Sequence, residues 1–245
     1  MQSEAAPAAA TAHTATKPHT LLTPATAARM IDHTLLRPEA TRDHIQKICD
    51  EAVQHGFTSV CVNPSYVSLA CTRVRNTPVK VCTVIGFPLG STLTEVKQKE
   101  ATECLRLGAR ELDMVLNVGA LCSGDALFVE TDIRAVVDIA HRAGAIVKVI
   151  LETALLNHEQ KELACQLAVN AGADFVKTST GFSTGGATIE DVQLMRRVVG
   201  NRVGVKASGG VRNAEQMRAM VTAGANRIGT SSGIAILREL GNNHT

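Results

Sequence analysis

Apolar and polar positions along this chain repeat in a two-part unit: an amphipathic stretch closed by a glycine, then within a few residues a short β-branched run. Helical periodicity ending at glycine reads as a helix, and a continuous apolar run reads as a strand covered on both faces. Gly56, Gly108, Gly144, Gly172, Gly200 and Gly224 mark the helix stops, and the runs after them are 58–63, 111–117, 146–152, 175–180, 202–208 and 227–230. Residues 79–87 add a run after Pro78, and 30–35, preceded by a short helix over 23–29, add an eighth. Thr92 with Glu95, and Asn213 with Gln216, have the spacing of helix-starting caps.

Eight such units in about 220 residues match the size of a (β/α)8 barrel, whereas a doubly wound open sheet more often stops at five or six strands. The pattern therefore predicts an α/β fold, a single TIM barrel over residues 23–240. Residues 1–22 are rich in Ala and Thr with few large apolar side chains, and are expected to form a disordered tail.

Composition narrows the function. The 245 residues carry a net charge of +2 and only 2% aromatics, which speaks against a nucleic-acid footprint or base-stacking platform. No apolar run is long enough to span a bilayer and the first residues lack a secretory signal, so a cytoplasmic protein with no membrane partner is expected. The seven cysteines include no Cys-x-x-Cys pair and the eight histidines show no ligand spacing, so no metal is expected. No Gly-x-Gly-x-x-Gly fingerprint follows an early strand, and no cofactor is expected.

Four of the strands contain a charge where a buried strand should be apolar: Asp113, Lys148, Lys177 and Lys206. Period-two alternation can turn all four toward the barrel interior. Lys177 and Lys206 occupy equivalent places on neighbouring strands, where two ammonium groups about 5 Å apart repel by about 3 kcal/mol at an effective dielectric of about 20. One amine of such a pair is pushed toward its neutral form, the form that attacks carbonyl carbon to make a Schiff base. Asp113 is then a candidate general acid or base. The alternative is a buried network in which Asp113 pairs with Lys148 or Lys206 to fill the barrel.

Two loops after the last strands place glycines and hydroxyls before a helix: Ser208-Gly209-Gly210-Val211-Arg212, and Gly229-Thr230-Ser231-Ser232-Gly233. Barrels hold substrate phosphate at this position with backbone N–H groups and the positive end of the helix dipole. The residues thus predict an amine catalyst acting on a small phosphorylated carbonyl compound.

The stretches Ile31-Asp32-His33-Thr34-Leu35-Leu36-Arg37-Pro38, Val60-Cys61-Val62-Asn63-Pro64, Cys82-Thr83-Val84-Ile85-Gly86-Phe87-Pro88, Glu111-Leu112-Asp113-Met114-Val115, Lys148-Val149-Ile150-Leu151-Glu152-Thr153, Phe175-Val176-Lys177-Thr178-Ser179-Thr180-Gly181 and Val205-Lys206-Ala207-Ser208-Gly209-Gly210-Val211-Arg212 together resemble the deoxyribose-phosphate aldolase family. The resemblance implies a class I aldolase that interconverts 2-deoxy-D-ribose 5-phosphate with D-glyceraldehyde 3-phosphate and acetaldehyde. It makes Lys177 the Schiff-base lysine, Lys206 the neighbouring cation that favours its neutral form, and Asp113 the proton relay, assisted by Lys148. Asp32 and Thr34 match residues lining the substrate pocket, and Cys61 and Gly181 fall beside it. Gly209, Gly210, Ser231 and Ser232 match phosphate-binding positions, with Arg212 and Gly229 on the same rim. A homodimer is implied by the same resemblance. Many relatives end in a tail tyrosine that assists proton transfer, whereas the only tyrosine here is Tyr66. Competing readings are a non-covalent isomerase or decarboxylase using the lysines as electrostatic clamps, and a binding barrel without turnover.

Overall fold

The computed structural model describes residues 22–242. Eight strands run in the order β1 (Ile31–Leu35), β2 (Ser59–Val62), β3 (Lys80–Ile85), β4 (Glu111–Val115), β5 (Ile146–Ile150), β6 (Phe175–Lys177), β7 (Gly204–Ser208) and β8 (Arg227–Thr230). All pair in parallel, each with its successor, and β8 closes onto β1. Around them lie α1 (Pro24–Ala28), α2 (Arg42–His55), α3 (Val67–Arg73), α4 (Thr94–Arg106), α5 (Val118–Cys122), α6 (Ala126–Arg142), α7 (His158–Asn170), α8 (Ile189–Val199), α9 (Ala214–Ala223) and α10 (Gly233–Asn242). The expected barrel is thus observed, while the expected tail over 1–22 lies, save for Leu22, outside the described residues.

The strands alternate as a barrel wall must. On β4, Leu112 and Met114 join the apolar layer under the helices, and Glu111 and Asp113 turn the other way, into the interior. Val147 and Val149 on β5, and Val205 and Ala207 on β7, belong to that apolar layer, which leaves Lys148 and Lys206 facing inward. Several strands are shorter than the apolar runs: the run over 146–152 ends at Ile150 because Glu152 adopts a left-handed backbone (φ 57°). At helix ends, Gly56 takes the left-handed cap (φ 66°) that a side chain resists.

Caps followed the spacing once of twice. Asn213 Oδ1 accepts the Gln216 N–H at 2.9 Å and starts α9. Thr92 does not cap α4, whose preceding residue is Leu93 with no side-chain cap; Thr94 instead turns its hydroxyl to Asp132 Oδ1 at 2.8 Å. Among the described residues no helix is long and apolar enough to cross a membrane.

Candidate active site

The parallel register sets Lys148 beside Asp113 and Lys206 beside Lys177. All four side chains meet at one carboxylate. Asp113 Oδ1 accepts from Lys148 Nζ at 2.8 Å and from the Cys82 thiol at 3.2 Å; Oδ2 accepts from Lys177 Nζ at 2.8 Å and Lys206 Nζ at 2.7 Å. The adjacent-lysine reading and the paired-network reading therefore hold together: the two ammonium groups are neighbours, and Asp113 stands between them and tempers their repulsion.

Below this carboxylate the network continues to the other end of the barrel. Asp32 Oδ2 lies 2.5 Å from Lys206 Nζ, and Asp32 Oδ1 accepts from Ser59 Oγ and Arg227 Nη1, each at 2.7 Å. Glu111 Oε2 takes Lys148 Nζ at 2.7 Å and Arg227 Nη1 at 3.1 Å, while the Arg227 guanidinium lies over the Phe175 ring, 5.3 Å from its centroid. Lys148, Lys177, Lys206 and Arg227 face Asp32, Glu111 and Asp113, four cations against three carboxylates.

Burial alone would push the Asp113 carboxyl up, but Lys148, Lys177 and Lys206 outweigh it and hold the group ionised, well below the usual range. Asp32 is lowered in the same way by Lys206, Lys148 and Arg227 against the cost of burial. Burial likewise pushes Lys206 down, yet Asp113 and Asp32 prevail and raise it well above an ordinary lysine. Lys206 is thus a fixed cation, and Lys177 is the amine that reaches open space.

Lys177 lies at the floor of a cavity of about 220 Å³ at the carboxyl ends of the strands. Thr34, Gly181, Gly209, Gly210, Arg212, Gly229 and Ser231 line it, as expected. Asp32, Lys148 and Cys61 do not: all three are fully buried. Asp32 and Lys148 are drawn down into the ion network, and Cys61 packs with Leu36, Cys82 and Val84. Ser232 stands just outside the lining, its N–H bonded to Thr230 Oγ1 at 2.9 Å. Tyr66 is remote from this cavity and donates its hydroxyl to Ala40 O on the outer layer.

The rim is built from backbone. Gly209 (φ 86°) runs so close to Gly186 that a Cβ there would lie 2.9 Å from the Gly186 Cα, and the turn delivers the chain to the N-terminus of α9. The second loop delivers Ser231 and Ser232 to the N-terminus of α10. Opposite them, buried Glu152 accepts the Thr180 N–H at 3.2 Å and also the Thr180 hydroxyl, anchoring the segment that carries Gly181. Beyond it, Phe182 meets Phe87 edge to face at 5.3 Å.

Sequence reasoning missed Glu111, Arg227, Ser59, Cys82 and Glu152. Glu111 carried a usable signal, since it stands two residues before Asp113 and shares its face; Arg227 opens its strand and reads as an end. A larger concavity, about 690 Å³, runs along α4 and the Gly86–Leu89 turn, away from the lysines. Two donor triads, Cys61–Cys82–Asp113 and Asp32–Cys82–Glu111, each fall within 4.8 Å, but ammonium and guanidinium groups already bond those carboxylates where a metal cation would sit.

Fold and site together define a (β/α)8 barrel with a lysine centre at the carboxyl ends of its strands, beneath a glycine- and serine-built rim. The chain belongs to the DeoC/LacD family of aldolases, whose model matches residues 26–240. It is 60% identical over 210 residues to a deoxyribose-phosphate aldolase of Geobacillus sp. (strain WCH70), covering 86% of this chain and 94% of that one. A deoxyribose-phosphate aldolase of Thermococcus gammatolerans is 60% identical over 212 residues, with 86% and 94% covered. Among solved structures, the tetrameric deoxyribose phosphate aldolase of Aeropyrum pernix superposes with a TM-score of 0.85 at 37% identity, covering 90% of this chain and 93% of that one. An aldolase designated QR15 gives 0.84 at 43% identity, with 89% and 97% covered.

Proposed function

We propose that this protein is a class I aldolase that reversibly splits 2-deoxy-D-ribose 5-phosphate into D-glyceraldehyde 3-phosphate and acetaldehyde, serving deoxyribonucleoside catabolism in the cytoplasm. The observation that carries the reading is Lys177 at the cavity floor, sharing Asp113 Oδ2 with the fixed cation Lys206.

Lys177 Nζ gives its proton toward Asp113 and adds to the C1 aldehyde; loss of water leaves an iminium. The C3 hydroxyl then loses its proton through the Asp113 relay, the C2–C3 bond breaks, and its electron pair flows into the iminium nitrogen. Glyceraldehyde 3-phosphate departs, the enamine carbon C2 takes a proton, and water hydrolyses the regenerated iminium to acetaldehyde and free Lys177. The iminium carries the same charge as the ammonium it replaces, so Asp113 keeps a cationic partner there. Lys148 and Asp32 position this machinery from below, Asp32 by holding Lys206. N–H groups of Gly209, Gly210 and Ser231 and the Ser232 hydroxyl, with Gly229 and Arg212 on the rim, hold the phosphate at two helix N-termini. Thr34 and Gly181 bound the sugar between them. The chemistry needs no cofactor or metal, and the chain acts as a homodimer.

Borohydride reduction in the presence of deoxyribose 5-phosphate or acetaldehyde, followed by peptide mass mapping, tests this. A stable adduct on Lys177 is expected. An adduct on Lys206 would reverse the two lysine roles, and aldehyde release with no adduct would overturn the covalent mechanism. Light scattering on the purified chain tests the dimer.

A further inference from the structure

The Ser208 hydroxyl is more than nine-tenths buried and has no hydrogen-bond partner among the described residues. An unpaired buried hydroxyl is costly, and a ligand that reaches it repays that cost. Its position is fixed from both sides: the Ser208 N–H donates to Thr178 Oγ1 at 3.0 Å, and the Thr178 hydroxyl donates to Ser208 O at 3.0 Å. The facing residue on β8 is Gly229, where a Cβ would lie 2.3 Å from Ser208 Oγ. Glycine there leaves the hydroxyl its room. Both residues line the cavity above Lys177.

The height of this hydroxyl identifies what it meets. On β7 the inward positions are Lys206 and, about 6.6 Å further along the strand, Ser208; the glycine turn of the rim begins at the next residue. Ser208 Oγ thus stands between the level of the reacting amine and the level of the anion-binding turn. In a sugar phosphate stretched between those levels, the group at mid-height is the C4 carbinol, which links the bond being broken to the phosphate-bearing carbon. A neutral hydroxyl that can both donate and accept matches a carbinol. The phosphate already has charged Arg212 and the N–H groups of the turn.

Building on the aldolase reading above, we propose that Ser208 Oγ hydrogen-bonds the C4 hydroxyl of the sugar phosphate. In the condensation direction it therefore selects phosphorylated aldehydes that carry a hydroxyl next to the carbonyl.

The test compares Ser208→Ala with the wild-type chain, using acetaldehyde as donor and two acceptors: D-glyceraldehyde 3-phosphate, and 3-phosphooxypropanal, which lacks only that hydroxyl. The variant removes one atom, and an unchanged melting temperature verifies its fold. Its kcat/KM for glyceraldehyde 3-phosphate should fall about tenfold while that for 3-phosphooxypropanal changes less than about twofold. Equal losses with both acceptors, which would assign the hydroxyl to the phosphate or to the barrel, overturn the proposal. So does no loss with either. A wild-type chain that forms the acetaldehyde adduct yet ignores both acceptors overturns it too and leaves the imine chemistry standing, whereas absence of the adduct is failure of the aldolase reading itself.

Discussion

Two fully buried lysine–carboxylate systems lie in this barrel, and they are built on opposite principles. Between the helices, Lys97 on α4 meets Asp132 on α6 at 2.5 Å; the lysine also donates to Val115 O at 3.0 Å, and Thr94 occupies the other Asp132 oxygen at 2.8 Å. One cation faces one carboxylate. In the barrel interior, three lysines converge on Asp113, so a single lysine can leave that carboxylate without orphaning it. A matched buried pair can only be damaged by disturbance, whereas a cluster with surplus cations has an amine free to change its chemical state. Charge stoichiometry, more than burial, separates the helix-packing pair from the barrel cluster to which we assign the chemistry.

Lys177→Ala should have the largest effect of any single substitution. Aldehyde formation should fall at least about 10³-fold with the thermal midpoint held, because Lys148 and Lys206 still neutralise Asp113; a coupled assay and a melting curve decide it. Lys97→Met should behave in the opposite sense. It leaves Asp132 charged and unpaired, costing about 3–5 kcal/mol in urea unfolding, while turnover per folded molecule stays near wild type. Adding Asp132→Leu should recover most of that loss. A single Lys97 variant as stable as wild type would erase the distinction.

Lys206→Leu has a smaller effect. Removing the second cation from Asp113 Oδ2 should move the acid limb of the pH–rate profile about one unit toward alkaline pH and slow the reaction about tenfold at neutrality. An unchanged profile would sink the repulsion argument. The smallest effect concerns His33, whose Nε2 lies 2.7 Å from Glu51 Oε2, a contact that is an ion pair only when the imidazole is protonated. Burial lowers His33 from its ordinary 6.5 despite Glu51. Below that value the unfolded chain binds a proton that the folded chain still refuses, so stability falls as pH drops from 6.5 toward the folded-state pKa. Unfolding free energies from urea titrations at neutral and mildly acidic pH should diverge by less than about 1.4 kcal/mol per pH unit, and His33→Gln should flatten the slope.

The barrel was legible because most strands are short apolar runs set off by glycine or proline, a signal that needs no knowledge of distant contacts. Strand ends were not, since Leu116 and Leu151 are apolar and buried yet already belong to the loops. The lysines and Asp113 stood out as charges inside apolar runs. Lys97 did not, because on an amphipathic helix a lysine reads as solvent-facing until the neighbouring helix is in place. Burial was the other blind spot: motif likeness marked Asp32, Lys148 and Cys61 as pocket residues, but only the closed barrel reveals that all three are fully buried. Ser208 reads as part of a glycine turn, and its orphaned hydroxyl appears only once β8 is set beside it.

The Arg227–Asp32 contact joins residues 195 positions apart, one on the first strand and one on the last. During synthesis the Asp32 carboxylate precedes this partner by 195 residues. A nascent or truncated product lacking β8 has two open sheet edges, on β1 and β7, the kind of surface that invites aggregation and proteolysis. Pairing of β8 with β1 and sealing of the barrel floor by Arg227 and Asp32 therefore arrive together. The seam between the first and last strands is where the barrel closes, and a product without β8 leaves it open.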